Sequence, residues 1–432
     1  MHYRPCPRVL VLVAASTAAG HALAARENSP EVESAIQLDP IVVSREPLDA
    51  IAESSRLAGG RLDAARVATS DTAKLLRKVP GISLYGAGGI SSLPAIHGLA
   101  DERVRITVDG MDLISACPNH MNPPLSYLDP SAVGSMSVYA GIVPVSLAGD
   151  SIGGSIIAET AEPTFADAGA EPLLGGRIGS YYQSNGDRYR VNVAASAASD
   201  TLSLRYQGAQ SKARNYKAAK DFKTTHTTGR LGHSLGLDVV GSTAYDVRNH
   251  ALDLAWRNAN QLVEVELGYQ TVPEELFPNQ RMDLLDNEQK RVNLGYTGDF
   301  DWGQLRASAY YEHVDHFMDF GPDKRFWYGP ASGRMNVNGT PCAPISPTCA
   351  AGMPMRTKGK TLGAKVSADV DLNDTQRLRL GSEYQNYRLD DWWSPSGAAM
   401  DPGTFYNIND GRRDRFALYG EWEARPMPGW LT

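Results

Sequence analysis

The chain has 432 residues, with 42 Lys and Arg against 49 Asp and Glu, a formal net charge of −7, and 42% hydrophobic residues. That balance argues against a nucleic-acid partner, which would draw on a basic surface, and no stretch beyond the N-terminus offers the run of about 20 apolar residues that a membrane helix needs. The 41 glycines, 19 tyrosines and seven tryptophans suit strands that are apolar on one face only, in a membrane barrel or another β-rich fold.

Residues 1–24 read as an export signal. Arg4 and Arg8 precede the apolar run 9–15, and Ala22-Leu23-Ala24 is a small-residue cleavage site, so the mature chain is expected to start at Ala25. Residues 25–65 form a polar linker around one extended apolar segment, Leu38-Asp39-Pro40-Ile41-Val42-Val43-Ser44. Such a segment can pair with the sheet edge of a partner or open the following globule as a strand.

Residues 66–168 predict a small mixed α/β domain. The spacing at 72–79 is helical, with Asp71 or Ser70 as cap and Pro80-Gly81 as stop. Short strands follow at 82–85, 95–98, 104–108 and 135–139, and Asp109-Gly110 is a hairpin turn signal. Met111 is expected to pack inside this domain.

From 169 to 432 the pattern changes to alternation in segments of about ten residues, as in an antiparallel transmembrane β-barrel. Strands are expected at 176–183, 189–197, 202–210, 235–245, 262–270, 291–300, 305–320, 361–372, 376–389 and 415–423. Short turns alternate with longer loops, the longest at 321–355.

Four cysteines divide unevenly. Cys6 lies in the export signal. Cys342 and Cys349, seven apart in a Pro/Gly-rich loop, are expected to form a disulfide, with a second metal site as the alternative. Cys117 is left without a partner in Cys117-Pro118-Asn119-His120-Met121, where thiolate, imidazole and thioether lie within five residues. Those donors suit Cu(I) or another thiophilic metal. His120 either joins the site or points away, since neighbours in an irregular loop diverge.

His316 and Met318 are two apart in a strand and therefore share a face. Ser308, Tyr310 and Glu312 lie on that same face, which is expected to be the lumen, while Asp315 and Asp319 point outward and must lie above the hydrocarbon. Met353 and Met355 repeat the two-residue spacing beside the long loop, as candidates for capturing an incoming ion or as ordinary strand-end packing. Either pair alone is unremarkable packing; together with an unpaired exported cysteine they point to a metal.

The segment 38–44, then Leu76-Arg77-Lys78-Val79-Pro80-Gly81-Ile82, Ile96-His97-Gly98-Leu99, Arg103-Val104, Val108-Asp109-Gly110 and Gly153-Gly154-Ser155-Ile156-Ile157 resemble, in order, the TonB box and plug of TonB-dependent outer-membrane receptors. Cys117 to Tyr127 together with His316-Phe317-Met318 resembles the OprC/NosA-type copper receptors, and the resemblance also takes in Asp246 to Leu254 and Pro273 to Met282. The resemblance implies a plug domain followed by a barrel in the outer membrane of a Gram-negative bacterium, with TonB binding at residues 38–44. It also implies copper, as Cu(I) or Cu(II), held by Cys117 and Met121 of the plug and His316 and Met318 of the wall for import, and no enzymatic activity. A receptor for an organic metal chelate, using Trp327, Trp392, Trp393 and Arg325, and a non-transporting copper-binding protein are the alternatives. The family barrel has 22 strands, so the ten or so expected here correspond to its first half, and the chain is expected to be a fragment.

Overall fold

A computed structural model describes residues 55–425, apart from 68, 229, 231, 333–341, 343–344 and 398–402. The expected export signal and segment 38–44 lie outside the described residues.

The first domain is built on a five-stranded sheet. β1 (Ser55–Ala58) leads into helix α1 (Gly59–Val67), and β2 (Ile82–Gly86) pairs with β3 (Ser92–Ile96) as a separate hairpin. β4 (Val104–Val108), β5 (Met111–Asp112), β6 (Val133–Ala140) and β7 (Gly154–Thr160) complete the sheet in the order β1-β6-β7-β4-β5, with β4 and β7 parallel. Because β1 pairs with β6 from Ser55↔Val138 to Ala58↔Ser135, the domain begins upstream of residue 66, inside what the sequence suggested was linker.

The expected hairpin at Asp109-Gly110 is present. Val108 pairs with Met111, and both turn residues have positive φ, 48° and 75°. That is the backbone a two-residue turn of matching twist requires. The segment Thr72–Lys78 forms a 3-10 helix rather than an α-helix; the Asp71 side chain accepts from Ala73 N at its start, and Val79 caps its end. With a cap at one end and Pro80-Gly81 at the other, only two tight turns fit.

The second domain is a ten-stranded antiparallel sheet. Its strands are β8 (Leu173–Gln183), β9 (Arg188–Ala198), β10 (Leu202–Ala213), β11 (Tyr245–Arg257), β12 (Gln261–Glu275), β13 (Asp283–Phe300), β14 (Gly303–Asp319), β17 (Met355–Asn373), β18 (Gln376–Trp393) and β19 (Phe405–Ala424), each paired with the next. Between β14 and β17 a small hairpin pairs β15 (Trp327–Tyr328) with β16 (Ala350–Ala351). Residues 235–244, expected as strand, belong to an irregular loop, and the strand starts at Tyr245. There Leu235 and Gly236 lie beside the backbone of His226 and Val239, and Asp323 holds Ser242 N.

The alternation separates the two faces. On β14, Tyr310, Glu312, Val314, His316 and Met318 are all buried, while Tyr311 between them is 43% exposed. Leu252, Leu254, Leu294, Leu362, Val366, Tyr384 and Phe416 make an exposed apolar exterior, the face that lipid covers. Turns at one end are as short as 301–302 and 374–375, whereas 214–244 and 320–354 form long connections at the other. The long-loop end is the outward one. Tyr310 and Val314 of the wall join the buried cluster of Leu76, Val108, Met111, Leu125 and Ile156, so the first domain packs against the face of the sheet that carries these two residues. Met111 is fully buried there.

Hydrogen bonds reinforce that seat. Glu275 of β12 accepts from Ile90 N, Ser91 N and Ser91 Oγ at 3.0, 3.1 and 2.9 Å. A Cβ on Gly88 would come within 2.3 Å of the Glu275 carboxylate, so a larger residue there would have to push aside the side chain that holds the loop tip. Arg190 of β9 pairs with Asp129 at 2.5 Å and donates to the carbonyls of Arg66 and Thr69.

Candidate metal centre

The loop that follows β5 is folded so as to present sulfur to the wall. His120 N bonds the Cys117 carbonyl at 2.9 Å to close a turn, and the Ser115 hydroxyl lies 3.1 Å from the Cys117 carbonyl and 3.2 Å from that of Asn122, holding both arms. Asn122 Nδ2 donates to Tyr127 Oη at 2.5 Å and to Asn287 Oδ1 of β13 at 3.4 Å. Cys117, the free cysteine among the described residues, is thereby buried with its Sγ 3.8 Å from Met318 Sδ.

More thioethers meet at that point than the sequence suggested. Cys117, Met121, Met282, Met318 and Met355 belong to one buried cluster, with Met353 packed against it. Met318 and Met355 are direct cross-strand partners, which places Met355 at the centre and not on a separate surface. Met282, the last residue of the 273–282 segment, sits at the loop end just before β13, and no local spacing relates it to Cys117.

His316 supplies nitrogen. Its Nδ1 is 3.0 Å from Asn287 Oδ1, an acceptor only, so Nδ1 carries the proton and Nε2 presents its lone pair. That Nε2 is buried without a hydrogen-bond partner. Two further buried atoms without partners lie along the same cross-strand row, Thr357 Oγ1 and Asp391 Oδ1. Buried polar atoms are normally satisfied, so this row is prepared for something that the protein alone does not supply.

His120 is directed elsewhere. With φ of 50° it turns its ring away from Cys117, and Nε2 lies 3.3 Å from Glu102 and 3.9 Å from Asp101. Its neighbours are carboxylates, and it lines a different cavity of about 550 Å³. The outward Asp315 is balanced by His313 at 3.0 Å and Lys358 at 3.3 Å, while Asp319 turns back to accept from Phe320 N and Met353 N. Cys342 and Cys349 are joined in a disulfide.

Among the described residues no three His, Cys, Asp or Glu side chains converge on one point; the converging donors are mainly thioethers. Burial pushes the Cys117 thiol up, opposed by the N–H groups of Met121 and Asn119. Without metal the thiol is therefore favoured in its neutral form. A soft cation entering the site must displace that proton, and would find thiolate, thioethers and a free imidazole nitrogen, the donor types that favour monovalent copper over hard ions.

The fold and this division between domains define a plug-and-barrel protein of the outer membrane of a Gram-negative bacterium. Residues 55–155 match the TonB-dependent Receptor Plug Domain family, and the ten-stranded antiparallel sheet follows that domain in the chain. It is similar in structure to the copper transporter OprC, with a TM-score of 0.64 and 21% identity over 83% of this chain and 50% of that one. The siderophore receptor PirA from Acinetobacter baumannii gives 0.62 and 16% identity over 90% and 56%. The FrpB iron transporter from Neisseria meningitidis gives 0.59 and 16% over 88% and 63%. The chain thus spans about half to two thirds of the length of these structures. No curated protein sequence matches it.

Proposed function

We propose that this chain belongs to a receptor that binds copper between plug and wall and imports it with energy delivered through TonB at residues 38–44. The observation that carries this reading is the plug thiol of Cys117 at 3.8 Å from Met318 Sδ of the wall, beside an imidazole nitrogen that is buried and unpartnered. Met121 and Met355 complete a predominantly sulfur environment. One structural neighbour is named a copper transporter, which agrees with this donor set.

Burial favours a bare ion over a chelate. Cys117 and Met318 are 0% exposed, and Met121 and His316 3%, so an organic shell would have to be shed before the metal reached them. The cavity of about 550 Å³ lined by Arg105, Arg413 and Arg415 supports a second reading, an organic chelate bound there. That cavity also carries Asp101, Glu102, Asp112 and Asp150, which oppose the anionic chelates that arginines would attract.

A divided site suits an energised plug. The outer membrane has no nucleotide supply, so an ion held by several soft donors leaves only if work separates them. Withdrawing the plug takes Cys117 and Met121 away from His316 and Met318 and leaves two weaker halves. The reading is tested by elemental analysis of the purified protein with and without Cys117→Ser: one copper per chain in the first and loss in the second is expected, and equal content in both would overturn it.

A further inference from the structure

Two rows of side chains run side by side across the inner face of the wall, and sulfur occupies only one of them. Leu284, Met318, Met355 and Trp393 are successive register partners across β13, β14, β17 and β18. Asn287, His316, Thr357 and Asp391 are the partners of the next inward-facing row. His316 precedes Met318 by two residues on a strand that runs toward the long loops, so the second row lies about 6.8 Å nearer the periplasm.

The second row is buried and short of partners. Its members are at most 3% exposed. His316 Nε2, Thr357 Oγ1 and Asp391 Oδ1 have no hydrogen-bond partner among the described residues, and neither has Oδ1 of the plug residue Asn122. Asn122 belongs to the same place, because Asn287 Oδ1 accepts both from its Nδ2, at 3.4 Å, and from His316 Nδ1, at 3.0 Å. The two nitrogens lie on opposite sides of the imidazole, so with Nδ1 held by β13 the lone pair of Nε2 faces the side on which Thr357 and Asp391 follow.

All four atoms are acceptors. An anion would find a single donor among them, the Thr357 hydroxyl, whereas a cation would find four lone pairs. Asp391 adds the charge. Its Oδ2 accepts from Asn407 Nδ2 at 3.2 Å, and no lysine or arginine pairs with it among the described residues. A buried carboxylate without a counter-charge is costly. Neighbouring strands are about 4.8 Å apart, so an ion over Thr357 lies within one side-chain length of both His316 and Asp391.

The donor types set the class of ion. Imidazole, carboxylate, hydroxyl and amide oxygen make a set without sulfur. Calcium and magnesium take oxygen alone, and a soft monovalent ion prefers the sulfur row. Divalent ions of borderline softness, such as Zn(II) and Cu(II), accept imidazole together with oxygen.

We propose that His316, Thr357, Asp391 and Asn122 form a second metal station, for a borderline divalent cation, on the periplasmic side of the sulfur row. The station shares His316 with the copper site and to that extent rests on the copper reading; its other three donors are its own. With one imidazole between them, the two rows hold one ion at a time.

Titration of the purified, metal-free protein in detergent with Zn(II) tests this, with Cu(I) titrated in parallel. Zn(II) should bind once per chain. Asp391→Asn/Thr357→Val, which keeps the side-chain shapes, should weaken Zn(II) by about a hundredfold or more, while Cu(I) affinity falls no more than about tenfold. Cys117→Ala/Met318→Leu should do the reverse, losing Cu(I) and keeping Zn(II) within about threefold. Cu(II) added to that second variant should give an electron paramagnetic resonance signal coupled to one nitrogen, with no sulfur-to-copper charge-transfer band. Zn(II) reads the polar row and Cu(I) the sulfur pocket, so the two readings fail separately. No Zn(II) bound, Zn(II) held equally by Asp391→Asn/Thr357→Val, or Zn(II) lost with the sulfur ligands would each overturn the station.

Discussion

Replacing His316 by leucine should separate the stability of the empty protein from its affinity for metal. In the empty protein Nε2 is buried without a partner, which costs roughly 1–3 kcal/mol. The Nδ1 bond to Asn287 returns about 0.5–1.5 kcal/mol. Leucine removes both, so the net effect on the empty protein runs from about 0.5 kcal/mol destabilising to about 2.5 kcal/mol stabilising, centred near 1 kcal/mol stabilising. Metal reverses the order. A ligand at 100 times its Kd adds about 2.7 kcal/mol to the folded state. If loss of the imidazole weakens binding about 100-fold, the same metal concentration adds only about 0.4 kcal/mol. Thermal unfolding in detergent, with and without Cu(I), measures both. An empty variant destabilised by more than about 2 kcal/mol, or one that gains as much from Cu(I) as the wild type, would refute the reasoning that Nε2 is held unsatisfied for a metal.

Other outcomes follow from the same geometry. Asp391 lies two strands from His316, roughly 10 Å away; at an effective dielectric constant of about 20 its charge contributes about 1.7 kcal/mol to holding a cation, so Asp391→Asn should weaken copper binding about tenfold in a titration while leaving the sulfur ligands in place. Glu275→Ala removes the acceptor of three donors at the plug loop and should raise hydrogen exchange at Ile90 and Ser91 at least tenfold, whereas Glu275→Gln, which keeps one acceptor oxygen, should raise it less. Because burial pushes the Cys117 thiol up, thiolate is scarce at neutral pH; alkylation of the metal-free protein should be slow and rise with pH, and copper affinity should fall about tenfold for each unit of acidification, one proton being released on binding. Crosslinking a cysteine placed in the plug to one placed in the wall should abolish copper uptake and leave copper binding intact; uptake that persists would rule out separation of the halves.

The two-domain plan was legible because each half announces a different local rule. Asp109-Gly110 demands a tight hairpin wherever it sits, and alternation such as that around Tyr310 to Met318 fixes which face is buried. Strand ends were less visible: β13, β14, β17, β18 and β19 each run to 17–20 residues, well past the alternating apolar core. Outside the lipid both faces carry polar residues, such as Asn287 on the inner face and Glu288 on the outer, so the alternation fades there while the ladder continues. The segment 235–244 misled because Leu235, Val239 and Val240 have strand composition while its backbone is held by Asp323 and Tyr216.

The metal centre was half legible. His316 and Met318 share a face by strand geometry alone, and Cys117 stood out as an odd thiol. Met282, Asn287, Thr357 and Asp391 reach the site only through register between distant strands, which no short spacing encodes. His120 shows the converse: it lies three residues from Cys117, yet one left-handed backbone angle sends it to Glu102.

X-ray absorption at the copper edge, on the loaded protein and on Cys117→Ser and Met318→Leu, tests the divided site most directly. The account predicts a sulfur-dominated shell with one imidazole nitrogen, and one fewer sulfur in each variant. A shell of oxygen and nitrogen alone, or one unchanged by both substitutions, would contradict it.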